Sequence, residues 1–130
     1  MLTRAEAAAR AARVGRITYG LHLDLDAGRT SYRGIARLRF PVRGEGDLFL
    51  DFRGGEVERL VVNGREVRPD RPGHRIVLPG ALLAPTTEVE VAYENAYDRG
   101  GDGFHHFVDP EDGAEYLYTN FEPFDAHRLF

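Results

Sequence analysis

From Ile17 to Tyr93 the chain alternates apolar and polar side chains, and Gly, Pro, Asn and Asp cut the alternation into short runs. A period of two places the apolar residues of a run on one face of a strand, whereas a helix needs a period of about 3.6. This stretch therefore has to build sheets. Ile17, Tyr19, Leu21, Leu23 and Leu25 take the odd positions of the first run, which predicts a strand with one buried face. Ala27-Gly28-Arg29-Thr30 reads as a turn. Gly34, Ala36, Leu38, Phe40 and Val42 then alternate with Arg33, Ile35, Arg37, Arg39 and Pro41, a second strand pairing back on the first. Residues 44–47 form a turn, Leu48 to Phe52 a third strand, and Gly54-Gly55 breaks it. Asn63-Gly64 predicts a hairpin within Val57–Val67, because both residues tolerate positive φ. Arg75 to Leu78 is a short strand, and in Thr87–Tyr93 the residues Val89, Val91 and Tyr93 share one face. Short strands separated by turn signals, filling residues from about 16 to 93, predict an all-β fold: a two-sheet sandwich.

The N-terminus differs. Thr3-Arg4-Ala5-Glu6 has the capping-box pattern and an Ala-rich run follows, which predicts one short helix over about residues 4–13, stopped by Gly15. Such a helix is too short to stand alone in water and has to dock or fray. The C-terminal stretch differs too. Asn95 to Gly103 reads as a polar, Gly-rich loop, and Asp109 to Gly113 as a tight acidic turn. The segment 104–130 is dense in aromatics and closes without a polar tail. The expectation is a single β-rich domain, 1–130, truncated from a longer chain.

Composition removes several chemistries. With no Cys there are no disulfides, thiol nucleophiles or thiolate metal sites, which is compatible with a reducing cytoplasm, the expected location. A net charge of −4 argues against a nucleic-acid partner. No apolar run approaches the roughly 20 residues that cross a bilayer, so no membrane partner is expected, and the charged start does not read as a signal peptide.

Most reactive residues read as structural. His105 and His106 are neighbours on a predicted strand and point to opposite faces, so one imidazole should face the core and the other solvent rather than share an ion. Asp109, Glu111 and Asp112 lack the spacing of a calcium loop. Ser31, the sole Ser, has no nearby His and no nucleophile elbow. The alternate Arg residues of the second strand are its solvated face, paired with acids such as Asp24. Glu122 lies between Phe121 and Pro123, in a segment expected to be partly buried, where a carboxylate needs a partner. Its residues leave two readings open: a salt bridge to a local Arg such as Arg128, or a socket for a ligand cation such as an ammonium.

The run from Phe104-His105-His106-Phe107 through Tyr118-Thr119-Asn120-Phe121-Glu122-Pro123-Phe124-Asp125-Ala126-His127-Arg128 resembles the end of the N-terminal domain of M1 zinc aminopeptidases, the aminopeptidase N type of actinobacteria. The opening Leu2-Thr3-Arg4-Ala5-Glu6-Ala7, the strand around Tyr19 and Leu50-Asp51-Phe52-Arg53-Gly54 carry the same resemblance. It implies a saddle-like, mostly β domain packed against a catalytic domain that holds zinc through HExxH and a distant Glu. Neither HExxH nor the family's GxMEN loop occurs here, so the resemblance implies no catalytic residue, no metal ligand and no peptidase activity in these 130 residues alone. It implies substrate-binding roles for two positions: Glu122 anchors the α-amine of a peptide substrate, which favours the second reading, and Asn120 lines the first side-chain pocket. Asn120 stands where relatives usually carry Gln, and His127 where they usually carry Arg. The implied partners are peptide substrates and the missing catalytic domain. The alternative is a stand-alone β-sandwich binding module using Tyr116, Tyr118 and Phe121 as a ligand platform.

Overall fold

The structure, a computed structural model, describes residues 2–123 and 125–130. Helix α1 spans Arg4–Arg13, and strands β1 to β7 follow at Thr18–Asp24, Ser31–Pro41, Leu48–Asp51, Glu56–Val62, Arg65–Val67, Arg75–Leu78 and Thr86–Ala96. Strands β8, Gly103–Val108, and β9, Glu115–Asn120, precede a 3-10 turn, Asp125–Arg128. An antiparallel sheet in the order β1-β2-β7-β4-β5 forms one layer and the β3–β6 pair the other, with β8–β9 as a separate hairpin. This is the all-β two-sheet form that the alternation predicts. Strand β7 runs on through Asn95 and Ala96, residues that the polarity of the segment assigns to a loop.

The core follows the phase of the alternation. Ala36, Leu38 and Phe40 of β2, Val89, Val91 and Tyr93 of β7, and Leu60 and Val62 of β4 meet Leu48, Phe52, Ile76 and Leu78 from the smaller layer. Gly34 and Tyr93 are register partners, and a Cβ on Gly34 would land in the Tyr93 ring. The missing side chain is therefore the space that the ring fills. On the outer face, Arg37 meets Glu90 at 2.7 Å, Arg33 meets Glu94 at 3.4 Å and Arg39 meets Glu88 at 3.7 Å. The partners are acids of β7, with Glu58 of β4 also 3.7 Å from Arg33, rather than Asp24. Such exposed pairs add little stability, but they penalise a register slip that would set like charges opposite.

Strand β1 corrects the sequence reading. Its alternation is real, and Tyr19 and Leu21 sit opposite Leu38 and Ala36. Yet Tyr19 is 53% exposed and Leu21 47%, while Leu38 and Ala36 are buried. The pattern identifies the inward face; the two-stranded β3–β6 layer is too narrow to cover it.

The helix docks rather than frays. The Glu6 amide donates to Thr3 Oγ1 at 3.2 Å and the Thr3 amide to Glu6 Oε2 at 2.8 Å, completing the capping box. Arg10 bonds Asp51 at 2.7 Å, Arg75 bonds Glu6 at 2.8 Å, and both guanidiniums lie over the Phe49 ring. Val14 ends the helix by turning extended and pairing with Val42. Gly15 is needed for another reason than a helix stop, since a Cβ there would meet Pro41 Cγ at 2.5 Å.

Two predictions follow from this packing. Gly34→Ala forces the Tyr93 ring aside and should lower stability by about 1–3 kcal/mol in urea unfolding. The Arg75 guanidinium and the Thr3 groups hold the Glu6 carboxyl down at about 2 from an ordinary 4.5. A depressed carboxylate stabilises above its unfolded pKa and loses that contribution as pH falls through its folded one. The protection of amides 6–13, taken relative to the intrinsic exchange rate at each pH, should therefore be full above pH 4.5 and fall toward pH 2, and Glu6→Gln should abolish that pH dependence.

Candidate functional site

The site is built on the β8–β9 hairpin and the chain that leaves it. The connecting turn uses its acids on its own backbone. Asp109 Oδ1 accepts from the Glu111 amide and Asp112 Oδ1 from the Ala114 amide, both at 2.8 Å. One face of the hairpin packs inward. Phe104 sits at 5.0 Å from Tyr32 and 5.3 Å from Tyr97, ring centre to ring centre, and Leu117 packs on the same core. His106 lies on this face, with its ring against Tyr97 and Nε2 at 2.9 Å from Glu115.

The opposite face carries His105, Phe107, Tyr116, Tyr118 and Asn120, with His105 opposite Tyr118 and Phe107 opposite Tyr116. The two histidines do point to opposite faces, but neither ring faces solvent. His105 is 7% exposed, stacked on Tyr118 at 4.8 Å, and its Nδ1 accepts from the Gly101 amide. Phe107, Tyr116 and Tyr118 are 44–50% exposed, an aromatic face left open among the described residues, and Phe121 just beyond the strand is 40% exposed.

Asn120 is the last residue of β9, and Glu122 follows two positions on. Both are exposed, so the expected partial burial of Glu122 does not hold. Asn120 Nδ2 reaches the Gly101 carbonyl at 3.4 Å. The Glu122 carbonyl accepts from the Asp125 amide at 2.9 Å, which fixes its backbone. Among the described residues no cation pairs with the Glu122 carboxylate. Arg128, the salt-bridge partner considered for it, instead binds Asp125 at 3.1 Å and Asp98 at 3.4 Å. His127 gives its carbonyl to the Arg53 amide at 2.8 Å.

Sequence reading missed the residues that hold this region. Asn95 Nδ2 donates to the Arg128 carbonyl at 2.8 Å. The Tyr32 hydroxyl donates to the Leu129 carbonyl at 3.2 Å. A signal for Asn95 was present: it continues the inward phase of Val89, Val91 and Tyr93, and a polar residue in that phase has to find a buried partner. Asp98 sits in a polar Gly-rich stretch with no such mark. Burial pushes the Tyr32 phenol up from its ordinary value.

An open groove of about 450 Å³ lies where α1, β1 and β3 meet, with Arg10, Ile17, Tyr19, Phe49 and Phe130 in its walls and neither Asn120 nor Glu122 among them. Among the described residues, no group of three or more His, Cys, Asp or Glu could hold a metal ion, and no helix is long and apolar enough to cross a membrane.

No family model matches the chain. Aminopeptidase N of Streptomyces lividans is 39% identical to it over 137 residues, 99% of this chain and 16% of the relative. The chain therefore spans about a sixth of that relative's length. Among solved structures, an M1 zinc metallopeptidase variant of Deinococcus radiodurans with a bound Tyr-Ser-Ala substrate matches with a TM-score of 0.65 at 21% identity, covering 91% of this chain and 28% of that one. A second structure of such a variant from the same organism matches with a TM-score of 0.60 at 22% identity, over 72% of this chain and 24% of that one. These two likenesses establish the shared fold.

Gly103 lies at φ +77°, and a Cβ there would collide with the Asp98 carboxylate and lie 2.8 Å from Arg128 Cδ. Gly103→Ala should lower stability by about 1–3 kcal/mol, through strain and overpacking together. Hydrogen exchange should show β8 and β9 opening while β2 and β7 stay protected.

Proposed function

Starting from a chain related along its length to aminopeptidase N of the M1 family, we propose that it serves as the N-terminal β domain of a zinc-dependent aminopeptidase. The complete enzyme removes N-terminal residues from peptides, in the cytoplasm. Residues 1–130 belong to one β-rich domain of that longer protein. Within it, Glu122 anchors the α-amine of the substrate and Asn120 forms part of the wall of the first side-chain pocket. The observation that carries this reading is the Glu122 carboxylate: exposed, held by its backbone, and without a cation partner among the described residues.

The chemistry fits an exopeptidase. Recognising a free N-terminus means recognising an ammonium, and a carboxylate does so through charge-assisted hydrogen bonds. When a second domain closes over the site, water is excluded and the attraction strengthens. The exposed Phe107, Tyr116, Tyr118 and Phe121 suit that closure, because an apolar face of this kind is normally covered by a partner. HExxH does not occur in the sequence, and among the described residues no group of three or more His, Cys, Asp or Glu could hold zinc. Its ligands are assigned to the remainder of the enzyme, and the isolated 130 residues should be inactive.

In the complete enzyme, Glu122→Ala should lower kcat/KM on free-amine peptides at least about tenfold, or about 1.4 kcal/mol of lost binding. Unchanged kinetics would remove the anchor role. The same aromatic face also suits a stand-alone binding module. Tight calorimetric binding of a peptide or glycan by the isolated chain would favour that reading instead.

A further inference from the structure

We propose that Arg128 and Asp98 form a positioning pair that sets where the Glu122 carboxylate stands, an inference that rests on Glu122 being the amine anchor.

The segment bearing Glu122 is suspended between two fixed points, the end of β9 at Asn120 and the turn that begins at Asp125. Asp98 reaches both. Its amide donates to the Phe104 carbonyl at 2.7 Å, its Oδ2 accepts from the Phe104 amide at 3.1 Å, and its carbonyl accepts from the His106 amide at 3.0 Å. These bonds tie down the first residues of β8, the strand that carries β9. The other carboxylate oxygen, Oδ1, meets Arg128 Nη1 at 3.4 Å. Arg128 Nε meets Asp125 Oδ1 at 3.1 Å, and the Asp125 amide holds the Glu122 carbonyl. The path from hairpin to anchor thus runs Phe104, Asp98, Arg128, Asp125, Glu122, with no step left to solvent alone. The side chains of Arg128, Asp98 and Asp125 are 20%, 27% and 8% exposed, so water screens this chain of contacts only partly.

Arginine suits the position because its planar fork serves two carboxylates at once in fixed directions, which an ammonium on a flexible stem does not. Because Glu122 is read as a binding group, a shift of its carboxylate weakens its hold on the substrate amine and is felt in KM. Position, rather than stability alone, is therefore the quantity that this pair controls.

The test is a cycle in the complete enzyme: Glu122→Gln, Arg128→Met and the double variant, with Arg128→Lys and Asp98→Asn beside them. KM and kcat are measured separately on a free-amine peptide, and a thermal melt is recorded for each protein. Arg128→Met and Asp98→Asn should raise KM about fivefold to tenfold or more, with kcat changed less than about twofold. Arg128→Lys should recover part of the loss, and Arg128→Met should add no further loss in the Glu122→Gln background. If Arg128→Met does not fold, Asp98→Asn, combined with Glu122→Gln in the same cycle, carries the test. A normal KM in the Arg128 and Asp98 variants beside a raised KM in Glu122→Gln overturns the positioning role and leaves the anchor standing. Full additivity overturns it as well. A normal KM in Glu122→Gln removes the anchor, and the positioning role falls with it.

Discussion

Pairing of β2 with β7 is the constraint on which the other elements depend. The two strands run in unbroken antiparallel register from Ser31 opposite Ala96 to Pro41 opposite Thr86. β1 is added to one side, β4 to the other, and the smaller layer packs on their common face. The register also decides what gathers at one end. Gly34 opposite Tyr93 leaves room for a ring, and Tyr32 two residues earlier contacts Tyr93, Tyr97 and Phe104. Phe52 and Phe130 close on Tyr93 from the other layer and the C-terminal turn. The hairpin and the turn that flank Glu122 are thus anchored to the best-buried part of the molecule. Cores of this density shift little, so what is bolted to them inherits a fixed position.

Much of this fold is legible in the sequence because strand patterning is local. Alternation gives the strands and the inward phase of β2 and β7, and Asn63-Gly64 gives the hairpin between β4 and β5, with φ of +48° and +79° at those two residues. What alternation does not contain is whether a face will be covered. Leu21 and Leu38 lie in the same phase on adjacent strands, and only Leu38 is buried. Coverage depends on the width of the opposite layer, a property of the whole topology. The same limit explains the histidines. Opposite faces follow from the period of two, but a hairpin can be packed on one face and capped by its own Tyr118 on the other, which leaves neither ring in water.

The candidate site divides along the same line. Asn120 and Glu122 stand out through a sequence motif, since their chemistry is tied to neighbours one or two residues away. The residues that hold them come from far along the chain: Tyr32, Asn95 and Asp98 reach carbonyls or side chains about 30 to 100 positions later. Asn95 betrays itself as a polar residue in an apolar phase. Asp98, in a stretch of Arg, Gly and Asp, looks like any solvated loop acid, and only the fold reveals that its two carboxylate oxygens serve different elements.

The fate of Arg128 decides what Glu122 can do. A carboxylate that is to take an external ammonium has to be denied an internal cation, because an ion pair already formed must be broken before a ligand can bind. The 3-10 turn supplies that denial. It places Asp125 three residues before Arg128, at the spacing that brings the two side chains together, and it leaves the guanidinium Nη1 facing Asp98. Arg128 is the arginine nearest Glu122 in sequence, yet its two contacts are both with other acids. The geometry that fixes the backbone of Glu122 is therefore the same geometry that keeps its charge available.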